Sequence, residues 1–373
     1  LKKTVLYGKF ARLFFLFEEP YSRMKNLLFP IAKKEISPAP KILLCCFASL
    51  GDVFLATLVI PYIKARMPGA KIGFICAPES LVVLQKTSGI DYIHTVPSWM
   101  KVGKSKWGNI VSLMKHSFFM YPKSVSEIRK VGYDVSVELH PFFPSCIPLA
   151  AKAGISRRVA FTSGGYEALI TDPARLPEHL TYLPKLYPLL FEKIGIPLEE
   201  LRVVTKEKIV SERKRIVFHM GTSDPRKLWE KENWIIVAKA LISKGYNLVF
   251  TGKGKEDLEC IKSAGMEEWG ENLCDRLDFQ GLSDLIKESK AIISIDSLPV
   301  HLAAFFQTPT VALYLYNEST ELWLPEAKNG RFLVRSSCVF RNKEKIPSGT
   351  IFCERVTPPD VLSALYQLLG EFP

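Results

Sequence analysis

Three short stretches bring together groups that could do chemistry at the start of a helix. In FASLGDV, residues 47–53, Gly51 allows a tight turn and Asp52 falls in the first turn of the next helix. A carboxylate there is stabilised by the helix dipole and could take a proton from a bound hydroxyl. It is equally a common capping choice. In HMGTSDPRKLW, residues 219–229, an apolar run ends at Gly221. Thr222 and Ser223 then supply hydroxyls and backbone N–H groups, and Arg226 and Lys227 supply positive charge. That composition suits an anion cradle or a solvated loop, and its spacing is not that of a P-loop. In ISIDSLPVHLAAFFQTPTVALY, residues 293–314, an apolar run ends in Asp296 and Ser297, and a helix begins near Pro299. Backbone N–H groups of residues 297–300, with the Ser297 hydroxyl, could hold a diphosphate against the helix start. His301 falls on the first turn of the same helix. A lone histidine on an apolar helix is usually a satisfied core residue; beside an acid and a hydroxyl at a strand end it is also a site candidate.

Such turns need strands that end where they begin. The run ILLCCFASLGDVFLATLVIPYI, residues 42–63, is long enough to cross a bilayer and carries Asp52 as its only charge. Gly51 and Asp52 at its centre, and Pro61 near its end, argue against a continuous helix in lipid. KILLCCF reads better as a strand, and DVFLATLVIPYIKARMPG as one helix stopped at Lys64, Arg66, Pro68 and Gly69. The alternation continues with the strands KIGFICAP, DYIHTVP, YDVSVELH and RRVAF, separated by helical stretches and closed by the helix YLPKLYPLLFEKIGIP. A second series comes after it: strands RIVFHMG, YNLVFTG, AIISID and TPTVALYLY alternate with helices ENWIIVAKALISKG, LSDLIKESK and PVHLAAFFQ. This pattern predicts an α/β protein of two Rossmann-like domains, with ligands beyond the carboxyl ends of the strands. The expected divisions are a basic, aromatic extension at 1–40, a first domain at 41–197, an interdomain region at 198–214 and a second domain at 215–356. A C-terminal helix at 357–373 is then free to return onto the first domain.

The 373 residues are 47% hydrophobic and 24% charged, which provides material for two cores and excludes general disorder. The net charge of +12 points to acidic partners: nucleic acid, an anionic membrane surface or phosphorylated substrates. No recognised nucleic-acid module accompanies it, so a nucleic-acid partner is not expected. Of eight cysteines, Cys45, Cys46, Cys76 and Cys146 sit in apolar runs, as buried thiols do in a reducing cytosol. No CxxC occurs, and Cys338 and Cys353 read as free thiols. The N-terminal stretch LKKTVLYGKFARLFFLFEEPYSRMKNLLFPIAKK lacks the pattern of a signal peptide. It could pack on its own domain or lie on an anionic membrane. A basic segment between 101 and 130, including Lys101, Lys104 and Lys106, could hold acceptor phosphates or form a solvated loop.

Taken together, LGDVFLAT, GTSDPRKLWEKENW, DSLPVHLAAFFQTPTVALY followed by LWLP, YDVSVELH and VTPPDVLSAL resemble the lipopolysaccharide heptosyltransferases of glycosyltransferase family 9, in order over residues 41–370. The resemblance implies a GT-B fold, two Rossmann-like domains facing across a cleft. It implies an inverting transfer of heptose from ADP-heptose to a phosphorylated lipopolysaccharide inner-core sugar, with no metal and no other cofactor. The donor would lie mainly on the second domain and the acceptor on the first. Asp52 would be the general base. Thr222, Ser223 and Lys227 would contact the donor phosphates, and Asp296, Ser297, Leu298 and His301 would line the nucleotide-diphosphate site. Lys101, Lys104 and Lys106 would bind the acceptor, and the enzyme would sit in the cytoplasm, peripheral on the inner face of the membrane. Departures from the family pattern are Leu298, where glycine is frequent, and YLYNEST in place of Phe-Gly-Pro. They keep open another sugar donor, a protein acceptor, or a nucleotide-binding member without turnover.

Overall fold

The computed structural model of the chain describes Met24 and residues 35–96, 121–142, 146–198, 214–222, 224–317, 319–325, 329–335 and 349–371. It divides into two compact units. The first is Leu1–Glu178 with Leu183–Leu201; the second is His179–Tyr182 with Arg202–Pro373.

The first unit is built on a parallel sheet of β1 (Lys41–Cys45), β2 (Lys71–Cys76), β3 (Tyr92–Thr95), β4 (Val135–Glu138), β5 (Arg157–Phe161) and β6 (Asp172–Ala174), in the order β3-β2-β1-β4-β5-β6. Ile42, Leu43, Leu44 and Cys45 are all 0% exposed. A strand that is apolar on both faces must be covered on both, which is why this run could pass for a membrane span. The covering helices are α1 (Leu50–Thr57), α2 (Ile60–Arg66), α3 (Leu81–Leu84), α4 (Tyr121–Val131), α5 (Ile147–Lys152) and α6 (Tyr187–Phe191).

The stretch after Asp52 is two helices, where the sequence suggested one. Pro61 has no N–H to give to Thr57, so the ladder breaks there. The Leu58 N–H turns to Leu55 O at 3.2 Å, and α2 restarts on Val59 O. Pro184 and Pro188 likewise divide the expected helix at 182–197 into a 3-10 turn, α6 and a second 3-10 turn. Strand β6 was not anticipated. It contains Pro173, which a sheet tolerates at an edge.

The second unit has β7 (Arg215–His219), β8 (Asn247–Thr251), β9 (Gly270–Asn272), β10 (Ala291–Ile295), β11 (Thr310–Leu315), β12 (Gly330–Arg335) and β13 (Thr350–Cys353), all parallel, in the order β13-β12-β11-β10-β7-β8-β9. Counted from its own first strand, it repeats the order of the first sheet. In each, the connections reverse direction beside the first strand: between β1 and β4, and between β7 and β10. Such switch points open a crevice at the carboxyl ends of the strands.

Helices α7 (Lys231–Ser243), α8 (Lys255–Ser263), α9 (Phe279–Glu288), α10 (Leu298–Phe306) and α11 (Pro358–Leu369) complete the second unit. One core joins Ile216, Phe218, Phe250, Ile293 and Leu313 to Trp234, Val361 and Leu365; a second joins Val300, Ala312, Tyr314 and Phe332. The terminal helix buries Val361, Ala364 and Leu365 in the second unit's own core. Strands β9, β12 and β13 and helix α8 were not read from the sequence. β9 is polar and made of poor strand formers, and β12 carries arginines at Arg331 and Arg335. Among the described residues no helix is long and apolar enough to cross a membrane.

Candidate active site

In the second unit, β7 and β10 flank the switch point, and the loops leaving them are tied to each other. After β7, the Asp224 N–H donates to Thr222 Oγ1 at 3.2 Å. Asp224 then accepts the Arg226 N–H at 3.1 Å and its guanidinium, Nε to Oδ1 at 2.9 Å and Nη2 to Oδ2 at 2.7 Å. These bonds shape a 3-10 turn at Pro225–Lys227. The Lys227 ammonium donates to Asp296 Oδ2 at 2.6 Å across 69 residues of sequence. Their side chains are 25% and 12% exposed, so the pair escapes most of the screening of a surface ion pair. The Asp296 N–H extends the β10–β11 ladder to Leu313 O at 2.9 Å, which fixes the acid at the strand end. From the other side Arg335, the last residue of β12, donates Nη2 to Arg226 O at 2.7 Å.

The helix start after β10 is narrower than the sequence suggested. Ser297 caps α10 with extended backbone, and its hydroxyl donates to Ile295 O at 3.1 Å. Pro299 has no N–H, and the Val300 N–H is taken by Ser297 O at 3.1 Å. Of the four positions expected to offer amides, Ser297 and Leu298 keep N–H groups that bond nothing among the described residues. His301, 5% exposed, lies against Tyr182: Nδ1 and the phenol oxygen are 3.1 Å apart, and the rings stack at 5.9 Å and 24°. Tyr182 comes from the short His179–Tyr182 excursion into this unit. Ser223 lies outside the described residues.

In the first unit, β1 and β4 flank the switch point. Asp52 Oδ2 accepts the Ser49 N–H at 2.9 Å and the Ser49 hydroxyl at 2.7 Å, a capping box at the start of α1. The capping reading of Asp52 is therefore realised. Both bonds fall on one oxygen, and Oδ1 receives no hydrogen bond among the described residues. Beside it, the buried Glu138 ends β4 and accepts the Cys146 N–H at 2.5 Å. One residue further, the Leu139 N–H bonds Cys45 O at 2.9 Å, and His140 Nδ1 meets Phe142 O at 3.0 Å. A carbonyl only accepts, so Nδ1 carries the proton. Burial pushes the Cys46 thiol well up, and the charges of Asp52 and Glu138 add to the shift, so both acids lie around this one residue. Lys101, Lys104 and Lys106 are outside the described residues, as is Cys338; Cys353 is a half-buried free thiol.

The model of glycosyltransferase family 9 (heptosyltransferase) matches residues 184–341. Lipopolysaccharide heptosyltransferase 3 of Escherichia coli strain K12 is 23% identical over 345 residues, which cover 86% of this chain and 96% of that protein. The chain is a glycosyltransferase, similar to those of family 9. Its fold is GT-B. A glycosyltransferase family 9 structure from Veillonella parvula superposes with a TM-score of 0.66 at 20% identity, covering 90% of this chain and 99% of that one. E. coli ADP-heptose lps heptosyltransferase II superposes with a TM-score of 0.62 at 22% identity, covering 88% and 98%. The family match contains Thr222, Lys227, Asp296, Ser297, Leu298, His301 and Arg335 of this glycosyltransferase; Asp52 precedes it.

Besides Arg335, two groups of the glycosyltransferase's second unit were not picked out from sequence. His219 ends β7 opposite Thr251, with Nδ1 and Oγ1 3.0 Å apart. The Thr251 hydroxyl donates to Phe218 O at 3.2 Å, so it accepts from His219 Nδ1–H. Burial holds this imidazole neutral, with its pKa lowered to about 4. Asp257, in the first turn of α8, packs its carboxylate so tightly on the β7 loop that a Cβ on Gly221 would collide with it. Only glycine permits that approach. A glycine-rich GKG after β8 followed by an acid was the available signal.

Proposed function

We propose that this glycosyltransferase moves a heptose from ADP-heptose to a phosphorylated lipopolysaccharide inner-core sugar, inverting the anomeric centre without a metal ion. The observation that carries the reading is the Lys227–Asp296 pair, which locks a cationic turn onto the end of β10 at the switch point. The neighbouring Ser297 and Leu298 amides give the same point a second set of donors. The relatives, a lipopolysaccharide heptosyltransferase and an ADP-heptose enzyme, support the choice of donor and acceptor.

In this reading Asp52 Oδ1 takes the proton of the acceptor hydroxyl as its oxygen attacks the anomeric carbon. The bond from that carbon to the diphosphate breaks on the opposite face, and ADP leaves with the electron pair. Lys227 and the α10 amides stabilise the charge that gathers on the leaving oxygen. Ser49 holds Asp52 through its other oxygen, so orientation and proton transfer use separate atoms. Thr222, Ser223, Asp296 and Leu298 border the diphosphate, and His301 backs the site through Tyr182. Lys101, Lys104 and Lys106 hold acceptor phosphates, and the net charge of +12 favours the anionic inner face of the cytoplasmic membrane.

A donor screen with a truncated, phosphorylated core acceptor tests the reading. ADP-heptose is expected to be used in preference to UDP- and GDP-sugars, with the product's anomeric configuration inverted and turnover persisting in a chelator. Preference for a UDP-sugar removes the heptose assignment, and restoration of lost activity by a divalent cation removes the metal-free mechanism.

A further inference from the structure

We infer that Arg335 is a second anion-binding cation of the donor site and that the donor's diphosphate bridges it and Lys227. The inference rests on the nucleotide-sugar reading of the site. It begins with the charges around the turn at Pro225–Lys227. Arg226 is forked by Asp224, and Lys227 is held by Asp296 at 2.6 Å. Each of these cations is already paired with a carboxylate. Arg335 is in no ion pair among the described residues, and its guanidinium donates one bond, Nη2 to the neutral Arg226 carbonyl at 2.7 Å. The cluster of three cations and two acids therefore carries an excess positive charge, and that excess resides on Arg335.

The geometry puts this charge beside Lys227. The turn reaches back from β7 over the ends of β10, β11 and β12. It bonds Asp296 at the first and Arg335 at the last, while the Tyr316 N–H closes the β11 end on Arg335 O at 3.0 Å. Arg226 and Lys227 are consecutive, so the guanidinium that holds the Arg226 carbonyl is anchored one residue from Lys227 on the same turn. Arg335 is half-buried, and with one Nη2 hydrogen engaged it keeps the other, which lies in plane and parallel with a hydrogen of Nε or of Nη1. A planar pair of donors suits two oxygens of one phosphate. Lys227, neutralised by Asp296, supplies a directed hydrogen bond; Arg335 supplies the uncompensated charge that a diphosphate needs.

Calorimetric titration of the intact chain tests this, using ADP, UDP, inorganic pyrophosphate and adenosine at low and high NaCl. Arg335→Gln is expected to weaken ADP and pyrophosphate about tenfold to a hundredfold. Its affinity should also depend less steeply on salt, because a screened charge has gone. Adenosine binding should be unchanged. Arg335→Lys, which keeps the charge and loses the fork, should lose pyrophosphate affinity several-fold, less than Arg335→Gln does. Unchanged pyrophosphate and ADP binding by Arg335→Gln overturns the inference. So does a loss that falls equally on adenosine and leaves the salt dependence intact, since that is a turn collapsing rather than a charge removed. If wild type prefers UDP but Arg335→Gln still loses pyrophosphate, the Arg335 site stands and the ADP-heptose reading falls. Should Arg335→Gln fail to fold, Arg335→Lys decides: a several-fold loss on pyrophosphate supports the site, and wild-type affinity overturns it.

Discussion

The two switch points are built from the same strand order and held in opposite ways. At β7 and β10 the polar contacts are long-range: Lys227 to Asp296 across 69 residues and Arg335 to Arg226 across 109. At β1, Asp52 is held by Ser49, three residues away, through a single oxygen. In the proposed mechanism, the groups that keep a fixed charge against the leaving diphosphate are the ones held from several strands, and the group that gains and loses a proton is the one oriented locally, with one oxygen left for the substrate. The contrast predicts that damage to the first site shows in turnover, and damage to the second in affinity and stability together.

The sharpest break of that contrast is Asp52→Asn. The amide oxygen can still accept from Ser49, but the NH2 that replaces Oδ1 cannot take a proton. Turnover should fall by about 10²- to 10⁴-fold while ADP affinity and melting temperature hold. Asp52→Ala should lose the same turnover and, with the cap, about 1 kcal/mol of stability. Rapid-quench rates beside ADP titration and thermal melts separate these effects. Appreciable turnover by the asparagine variant moves the base elsewhere, and the neighbouring Glu138 and His140 become the next residues to change.

At the second site the coupling itself is measurable. Lys227→Gln and Asp296→Asn each leave a partly buried charge without its partner, and each should cost about 1–3 kcal/mol of stability. The double variant should regain part of that loss, with a coupling of roughly 0.5–3 kcal/mol. Donor affinity takes a different order: Lys227→Gln weakens it about tenfold or more, and the double variant does not restore it. Strictly additive stabilities in a denaturant double-mutant cycle would show that the 2.6 Å pair does not tie the two loops together.

The same distinction explains what could be read from the chain. Contacts between near neighbours leave local patterns. Ser-Leu-Gly-Asp is a capping box as written, and the apolar runs at Ile42–Cys45 and Ala291–Ile295 are strands that no solvent reaches. Asp52, Lys227 and Asp296 were legible because each sits at a strand-to-helix turn. Arg335 ends a strand whose charged ends hid it, and its partner is a backbone carbonyl, which has no sequence signature. The His301 contact with Tyr182 depends on a short excursion of the chain that composition does not mark. The missing amide at Pro299 was visible from the start, but its consequence needed the Val300 bond to Ser297 to be known.

Acid should weaken the second unit by a smaller margin. His219 titrates near 4 when folded against an ordinary 6.5, because it is buried neutral. Its contribution is present above about pH 6.5 and is lost as pH falls through 4. Burial alone would raise Asp91 in the first unit, but bonds from Lys64, the Ile72 N–H and Lys71 outweigh it and lower its pKa from 3.8 to about 2. That contribution is kept above 3.8 and lost only as pH falls to about 2. Between pH 6.5 and 4 His219 should therefore weaken the second unit by about 1–3 kcal/mol, while His94, also lowered by burial, acts in the same direction on the first. Fluorescence of Trp229 and Trp234, both in that unit's core, reports it in urea titrations. His219→Gln should flatten the slope over this window, and an unchanged slope assigns it to another group.

The smallest expected effect concerns Leu298, which stands at the first position of α10 with its own N–H available. In the proposed site its side chain would limit how closely a phosphate can approach that amide and the one at Ser297. Leu298→Gly should lower the donor KM a few-fold and leave kcat unchanged, at a cost of up to about 1 kcal/mol in stability from the weaker helix former. A KM that falls shows that the helix start shares the diphosphate with Lys227. If KM is unmoved, the helix start is a bystander and the second unit holds its anion by long-range cations alone, which makes the contrast with Asp52 complete.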